Sequence, residues 1–140
     1  MVEIGADIGA KPGPGLKSGR VLLIEDEPNI AEAIRFILGR DGWQVDVRGE
    51  GRAGLAAVLD QPPDLVILDL MLPGLSGMEI LTALRGNPAT AALPVLMLTA
   101  KGQGRDREAA ERAGVSAFMT KPFANAEMVA AVRALVGAAR

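Results

Sequence analysis

A doubly wound α/β sandwich, five parallel strands between two layers of helices, is the fold this 140-residue sequence predicts. Two patterns carry it. Short apolar runs alternate with stretches of helical periodicity, the arrangement in which right-handed crossovers return the chain to one edge of a parallel sheet. Three of those runs, in "RVLLIED", "LVILD" and "LPVLMLTA", are apolar throughout, as strands covered by helices on both faces must be.

The elements follow in order. Residues 1–18, "MVEIGADIGAKPGPGLKS", are rich in Gly and Pro without sustained periodicity and read as a flexible leader. Its "GPGLKS" narrowly misses a phosphate-binding loop: Leu16 separates Gly15 from Lys17, and no strand precedes it. "RVLLIED" (20–26) is the first strand, ending in acids. "PNIAEAIRFILGRDG" sets Ile30, Ile34, Ile37 and Leu38 at helical spacing, with Gly39 and Asp41-Gly42 as stop signals. "WQVDVRG" (43–49) alternates as a strand does. "GRAGLAAVLDQPPD" is a helix that must end before Pro62-Pro63. "LVILD" (65–69) is the third strand. A loop with Pro73 and Gly74 leads to the helix "SGMEILTALRGN", with Met78, Leu81 and Leu84 on one side. "LPVLMLTA" (93–100) is the fourth strand, "GRDREAAERAG" a short charged helix, and "VSAFMT" (115–120) the fifth strand. "NAEMVAAVRALVGA" closes the chain on a stripe of Met128, Val132, Leu135 and Val136. About 120 residues in this order suit a flavodoxin-like (βα)5 sandwich, whose ligands bind outside the carboxyl ends of its strands.

Composition narrows the chemistry. With 15 basic and 17 acidic residues there is no sign of the clustered basic face that nucleic acid requires. Neither cysteine nor histidine is present, which excludes thiolate and imidazole catalysis, disulfides and His-ligated metals. No apolar run approaches the roughly 20 residues of a membrane span, and no signal peptide opens the chain, so a cytoplasmic protein is expected.

At the carboxyl ends of the predicted strands stand Glu25, Asp26 and Glu27, then Asp69, Thr99 and Lys121 followed by Pro122. In a parallel sheet these ends share one edge. Crowded carboxylates repel one another unless a cation intervenes, and an all-oxygen set suits a hard divalent ion such as Mg²⁺. With a hydroxyl and an ammonium beside it, the set fits phosphoryl transfer, where positioning and charge neutralisation do most of the catalysis.

"LLIEDE", "LVILDLMLPG", "VLMLTA" and "MTKPF", in that order, resemble the signatures of the receiver domain of bacterial two-component response regulators. The resemblance covers residues 19–138. It implies that Asp69 accepts a phosphoryl group from a sensor histidine kinase or phosphotransfer protein. It implies that Asp26 and Asp69 bind Mg²⁺ directly, with the Met71 carbonyl, and that Glu25 acts through water. Thr99 and Lys121 would hold the phosphoryl oxygens, and Lys121-Pro122 would be cis. Such a protein is a phosphoacceptor that assists its own phosphorylation and dephosphorylation rather than an enzyme.

The resemblance also implies a switch. Thr99 moves toward the phosphoryl group, and an aromatic on strand 5, here Phe118, turns inward. Phe118 lacks the hydroxyl of the tyrosine often found there, so coupling by packing alone is expected. Output is expected on the fourth helix, fifth strand and fifth helix, beside Arg105, Arg107, Glu108, Glu111 and Arg112, to a downstream protein or through a phosphorylation-dependent dimer. Since the last helix ends near Arg140, a stand-alone receiver without direct nucleic-acid or membrane contact is expected. Met71 and Met78 are expected to pack. Neither Met71 nor Lys101 can orient a hydrolytic water, which predicts slow self-dephosphorylation.

Three rival readings stand beside this one. A Mg²⁺-dependent phosphohydrolase with Asp69 as nucleophile would carry a second acid where Met71 stands, and a cap for which there is no insertion. A flavin binder would need a Ser/Thr/Gly-rich loop where this chain has Glu-Asp-Glu. A receiver fold used as a phosphorylation-independent interaction module would not need the intact site.

Overall fold

The computed structural model describes residues 19–100 and 104–140; the proposed leader and Lys101 lie outside the described residues. The strands are β1 (Gly19–Ile24), β2 (Trp43–Arg48), β3 (Leu65–Asp69), β4 (Val95–Ala100) and β5 (Ala117–Lys121). The helices are α1 (Pro28–Arg40), α2 (Gly51–Asp60), α3 (Gly77–Arg85), α4 (Gly104–Arg112) and α5 (Asn125–Ala139). All the strand pairings are parallel, in the order β2-β1-β3-β4-β5. The expected doubly wound sandwich is therefore observed.

Alternation along the buried strands sorts the helices into layers. Val21, Leu23, Leu65 and Ile67 face α1 and α5, meeting Ile34, Leu38, Met128 and Val132. Leu22, Ile24, Val66 and Leu68 face the other way, onto Val58 of α2, Ile80 and Leu84 of α3 and Ala110 of α4. Every residue of β3 is buried, so the central strand has no solvent face to make amphipathic. Each fully buried Leu or Ile of this set stabilises the fold by about 1.5–3 kcal/mol relative to exposure.

Polar ties hold the helix ends. Arg85 donates to the carbonyls of Gly114 at 2.8 Å and Thr90 at 3.1 Å, joining α3 to the turn before β5. Asp41, just past α1, accepts from Trp43 Nε1 at 3.0 Å and is paired with Arg133 of α5.

Element ends differ from expectation where backbone pairing stops. β1 ends at Ile24, before the acids; β4 starts at Val95; β5 runs through Lys121. The α3 stripe includes buried Ile80, with Met78 only half-buried, because the helix leans its Ile80–Leu81–Leu84 side on β3 and β4. Met71 does not pack: it is 70% exposed, since the loop after β3 turns its side chain away from both cores.

Gly137 sits in the last turn of α5, and a Cβ there would meet nothing within 4 Å. Gly137→Ala is therefore expected to raise stability by about 0.5 kcal/mol through the reduced entropy of the unfolded chain. A melting temperature equal to or below the wild type would contradict this.

Candidate functional site

The order of the sheet reverses between β1 and β3, since β1 connects outward to β2 while the chain returns to pair β3 on its other side. Ligand crevices form at such switch points, outside the carboxyl ends of the strands. The register aligns what lies there. Ile24 pairs with Leu68, so Glu25 leaves β1 beside Asp69. Asp69 pairs with Leu98, one residue before Thr99, and Ala100 pairs with Lys121.

Glu25, Asp26 and Asp69 each place a carboxylate oxygen so that all lie within 4.8 Å of one another. Their surroundings differ sharply. Glu25 and Asp69 are buried, Asp26 exposed. The Lys121 ammonium donates to Glu25 Oε1 and to Asp69 Oδ2, each at 3.2 Å. The other oxygens take backbone donors: Glu27 N–H bonds Glu25 Oε2 at 3.0 Å, and Met71 N–H bonds Asp69 Oδ1 at 3.2 Å. Thr99 is buried beside them with no hydrogen-bond partner for Oγ1 among the described residues. The Lys121-Pro122 bond is cis, as expected.

Electrostatics follows from this crowding. Burial, above all, and the adjacent Asp69 push the Glu25 carboxyl from 4.5 up to about 7, against the pull of the Glu27 N–H and of Lys121. Burial works against the Lys121 ammonium too, but Asp69 and Glu25 together outweigh it and hold its pKa above the usual lysine value. Burial is the larger cause of the Glu25 raise, and three carboxylates facing one ammonium add to it. Oxygen-only donors with unbalanced negative charge fit a hard dication such as Mg²⁺.

All the predicted site residues described here meet at this edge. Sequence reasoning missed two contacts. The Arg107 guanidinium lies 5.6 Å from the centroid of the Phe118 ring, so the tie between β5 and α4 is cation–π as well as packing. Gly77, at the start of α3, lies against the backbone of Asp69 and Leu70. The nearby sequence signal is Ser76-x-x-Glu79, which forms a capping box and fixes where α3 begins.

Comparison with known proteins gives the same picture. The family model for the response regulator receiver domain matches residues 21–133. TcrX of Mycobacterium tuberculosis, a probable transcriptional regulatory protein, is 44% identical over 117 residues, covering 83% of this chain and 49% of its own. The DNA-binding response regulator MtrA of Mycolicibacterium smegmatis is 40% identical over 115 residues, covering 82% and 49%. The chain thus spans about half the length of these two relatives. Among solved structures, the receiver domain of a signal transduction histidine kinase from Syntrophus aciditrophicus superimposes with a TM-score of 0.81 at 30% identity, covering 86% of this chain and 92% of that one.

Proposed function

The chain belongs to the response regulator receiver domain family, and we propose that within it Asp69 is the phosphoacceptor of a phosphorylation-dependent switch. The observation that carries this reading is the Glu25–Asp26–Asp69 cluster with Lys121 bonded into it. Residues 19–138 form the receiver unit of this proposal and residues 1–18 its leader. The donor is the phosphohistidine of a sensor histidine kinase or phosphotransfer protein, met in the cytoplasm. Among the described residues no helix is long and apolar enough to cross a membrane.

In the proposed step an Asp69 carboxylate oxygen attacks phosphorus. A P–O bond forms, the P–N bond to the donor imidazole breaks, and the leaving nitrogen keeps the electron pair and is protonated. Lys121, already 3.2 Å from Asp69 Oδ2, neutralises the charge carried in by the phosphoryl oxygens. The Thr99 hydroxyl, without a partner among the described residues, donates to one of them and so gains a bond. Asp26, Asp69 and the Met71 carbonyl would hold Mg²⁺, with Glu25 acting through water. Bound there, the ion supplies countercharge to the acids and to the transferring group. A groove between α1 and the turn after β5, lined by Ile30, Ala33, Ile37, Pro122 and Phe123, reaches Lys121 and frames the donor's approach.

Output passes through α4, β5 and α5 to a downstream protein or to a second receiver. Phe118 is the hinge of this surface, and its ring carries Arg107 with it. The test of the reading is the intact mass after incubation with acetyl phosphate and Mg²⁺. A gain of one phosphoryl group, prevented by EDTA, is expected; no gain with Mg²⁺ binding demonstrated would overturn it.

Phosphoryl decay is expected to be slow. Exposed Met71 offers no group to orient a water, and Lys101 is neither amide nor carboxylate. A Met71→Asn, Lys101→Glu variant should lose its phosphoryl group on the order of tenfold faster, less than the roughly 10²–10⁴-fold of a full general base because these side chains only orient the water. Equal decay rates would sink the expectation.

A further inference from the structure

We propose that Gly77 is a positioning residue for Asp69, acting through the Leu70–Met71 peptide that it holds against the acceptor carboxylate. This rests on the reading of Asp69 as phosphoacceptor.

The argument is a chain of bonds. Leu70 N–H donates to Leu98 O at 2.8 Å, continuing the β3–β4 ladder one residue past the strand. Gly77 N–H donates to Leu70 O at 3.1 Å. The same Leu70–Met71 peptide presents its N–H, that of Met71, to Asp69 Oδ1 at 3.2 Å. One peptide unit is thus gripped at its carbonyl by α3 and aimed at its nitrogen toward the acceptor. Because the unit is planar and rigid, rotating one end rotates the other.

Only a glycine permits the grip. A Cβ at position 77 would overlap the Asp69 carbonyl oxygen and come within 2.8 Å of Leu70 Cα and 3.1 Å of the Asp69 carbonyl carbon. Those are backbone atoms at the end of a central strand buried on both faces and of the residue just past it, with no flexible end to swing aside. The first turn of α3 cannot slide away freely either, since Ile80, Leu81 and Leu84 are fully buried in the core beneath it and Arg85 holds the Gly114 carbonyl at 2.8 Å. What gives is the loop peptide between them. Its displacement turns the Met71 N–H off Asp69 Oδ1 and moves the Met71 carbonyl, which the proposed metal set includes. Among the described glycines whose added Cβ meets other atoms, Gly77 is the one set against the backbone of Asp69 and Leu70. At Gly114 a Cβ meets the Arg85 side chain, with backbone φ of 95°, in the turn that precedes β5 at the opposite edge of the sheet.

The experiment compares Gly77→Ala with Gly114→Ala, which is destabilised for local reasons and far from Asp69, at a temperature where both remain folded. Two readouts are taken on the full chain: the amide proton shift of Met71 in metal-free protein, and the initial rate of phosphorylation by acetyl phosphate with Mg²⁺. Gly77→Ala is expected to move the Met71 amide upfield and to slow phosphorylation on the order of tenfold or more, as misplacements of this size do. Gly114→Ala should leave both within twofold of wild type. A Gly77→Ala protein with the wild-type Met71 shift and rate, or a Gly114→Ala protein equally impaired, overturns the proposal. Should Gly77→Ala not fold, Asp69→Ala decides. Removing the acceptor carboxylate must shift the Gly77 amide as well as that of Met71, and an unmoved Gly77 amide overturns the coupling. Wild type that takes up no phosphoryl group removes the parent reading, while the amide shifts still decide the geometry.

Discussion

Asp69→Ala is expected to accept no phosphoryl group from acetyl phosphate and Mg²⁺, while the wild type gains one. The loss should be complete because the neighbouring acids are poorly placed to substitute. Glu25 is 2% exposed, with one oxygen held by the Glu27 N–H and the other by Lys121. Asp26 is exposed and lacks the Lys121 contact that Asp69 Oδ2 has. The variant should keep its fold, since Lys121 retains Glu25 and the packing of β3 from Leu65 to Leu68 is untouched. Removing Asp69 also removes one cause of the raised Glu25 pKa, so the crowding of like charge falls rather than grows. Intact-mass measurement of the two proteins side by side is the check. Phosphorylation of the variant to the wild-type extent would transfer the acceptor role to Asp26 or Glu25 and refute the assignment.

Much of this site was readable from residue order because parallel topology gathers strand ends. Once Leu65–Asp69 and Val95–Ala100 are recognised as buried strands, Asp69 and Thr99 must emerge at the same edge, and the registers with β1 and β5 add Glu25 and Lys121. Chemistry carried by side-chain identity at strand ends is legible from residue order alone. What depended on the third dimension did not. Glu25 and Asp26 are adjacent in sequence, yet one is buried and the other exposed, because the chain pivots between β1 and the Pro28 that opens α1. Met71 reads as a packing residue by its apolar side chain, but it points out between Leu70 and Leu72, the neighbours that the core takes in. Arg107 reads as one charge on a solvated helix until Phe118 is found beneath it. Gly77 carries no functional group at all; its value lies in an absent Cβ, visible only when the Asp69 backbone is placed against it.

In EDTA, stability is expected to fall as pH rises from about 4.5 to about 7, the reverse of the usual behaviour of a paired carboxylate. The sign follows from Glu25. Its carboxyl is raised in the folded protein to about 7, chiefly by burial, while in the unfolded chain it titrates near 4.5. Between those values the folded state holds a proton that the unfolded state has released, so each increment of pH favours unfolding. The contribution is fully present below 4.5 and gone once pH passes about 7. A raise of that size corresponds to at most about 3.5 kcal/mol. Glu79, lowered by its bonds to Ser76, titrates below this window and pulls the other way only at more acidic pH. Lys121, raised by its two carboxylates, keeps its proton throughout. Glu25→Gln should therefore flatten the decline, since an amide has no proton to lose. Mg²⁺ should act in the opposite sense: a dication that favours ionised oxygens stabilises the folded state by mass action, and more strongly once Glu25 is deprotonated. Thermal unfolding across the window, in EDTA and in saturating Mg²⁺, tests both halves. A melting temperature that climbs with pH in EDTA, or a decline that persists undiminished in Glu25→Gln, would remove Glu25 as its source.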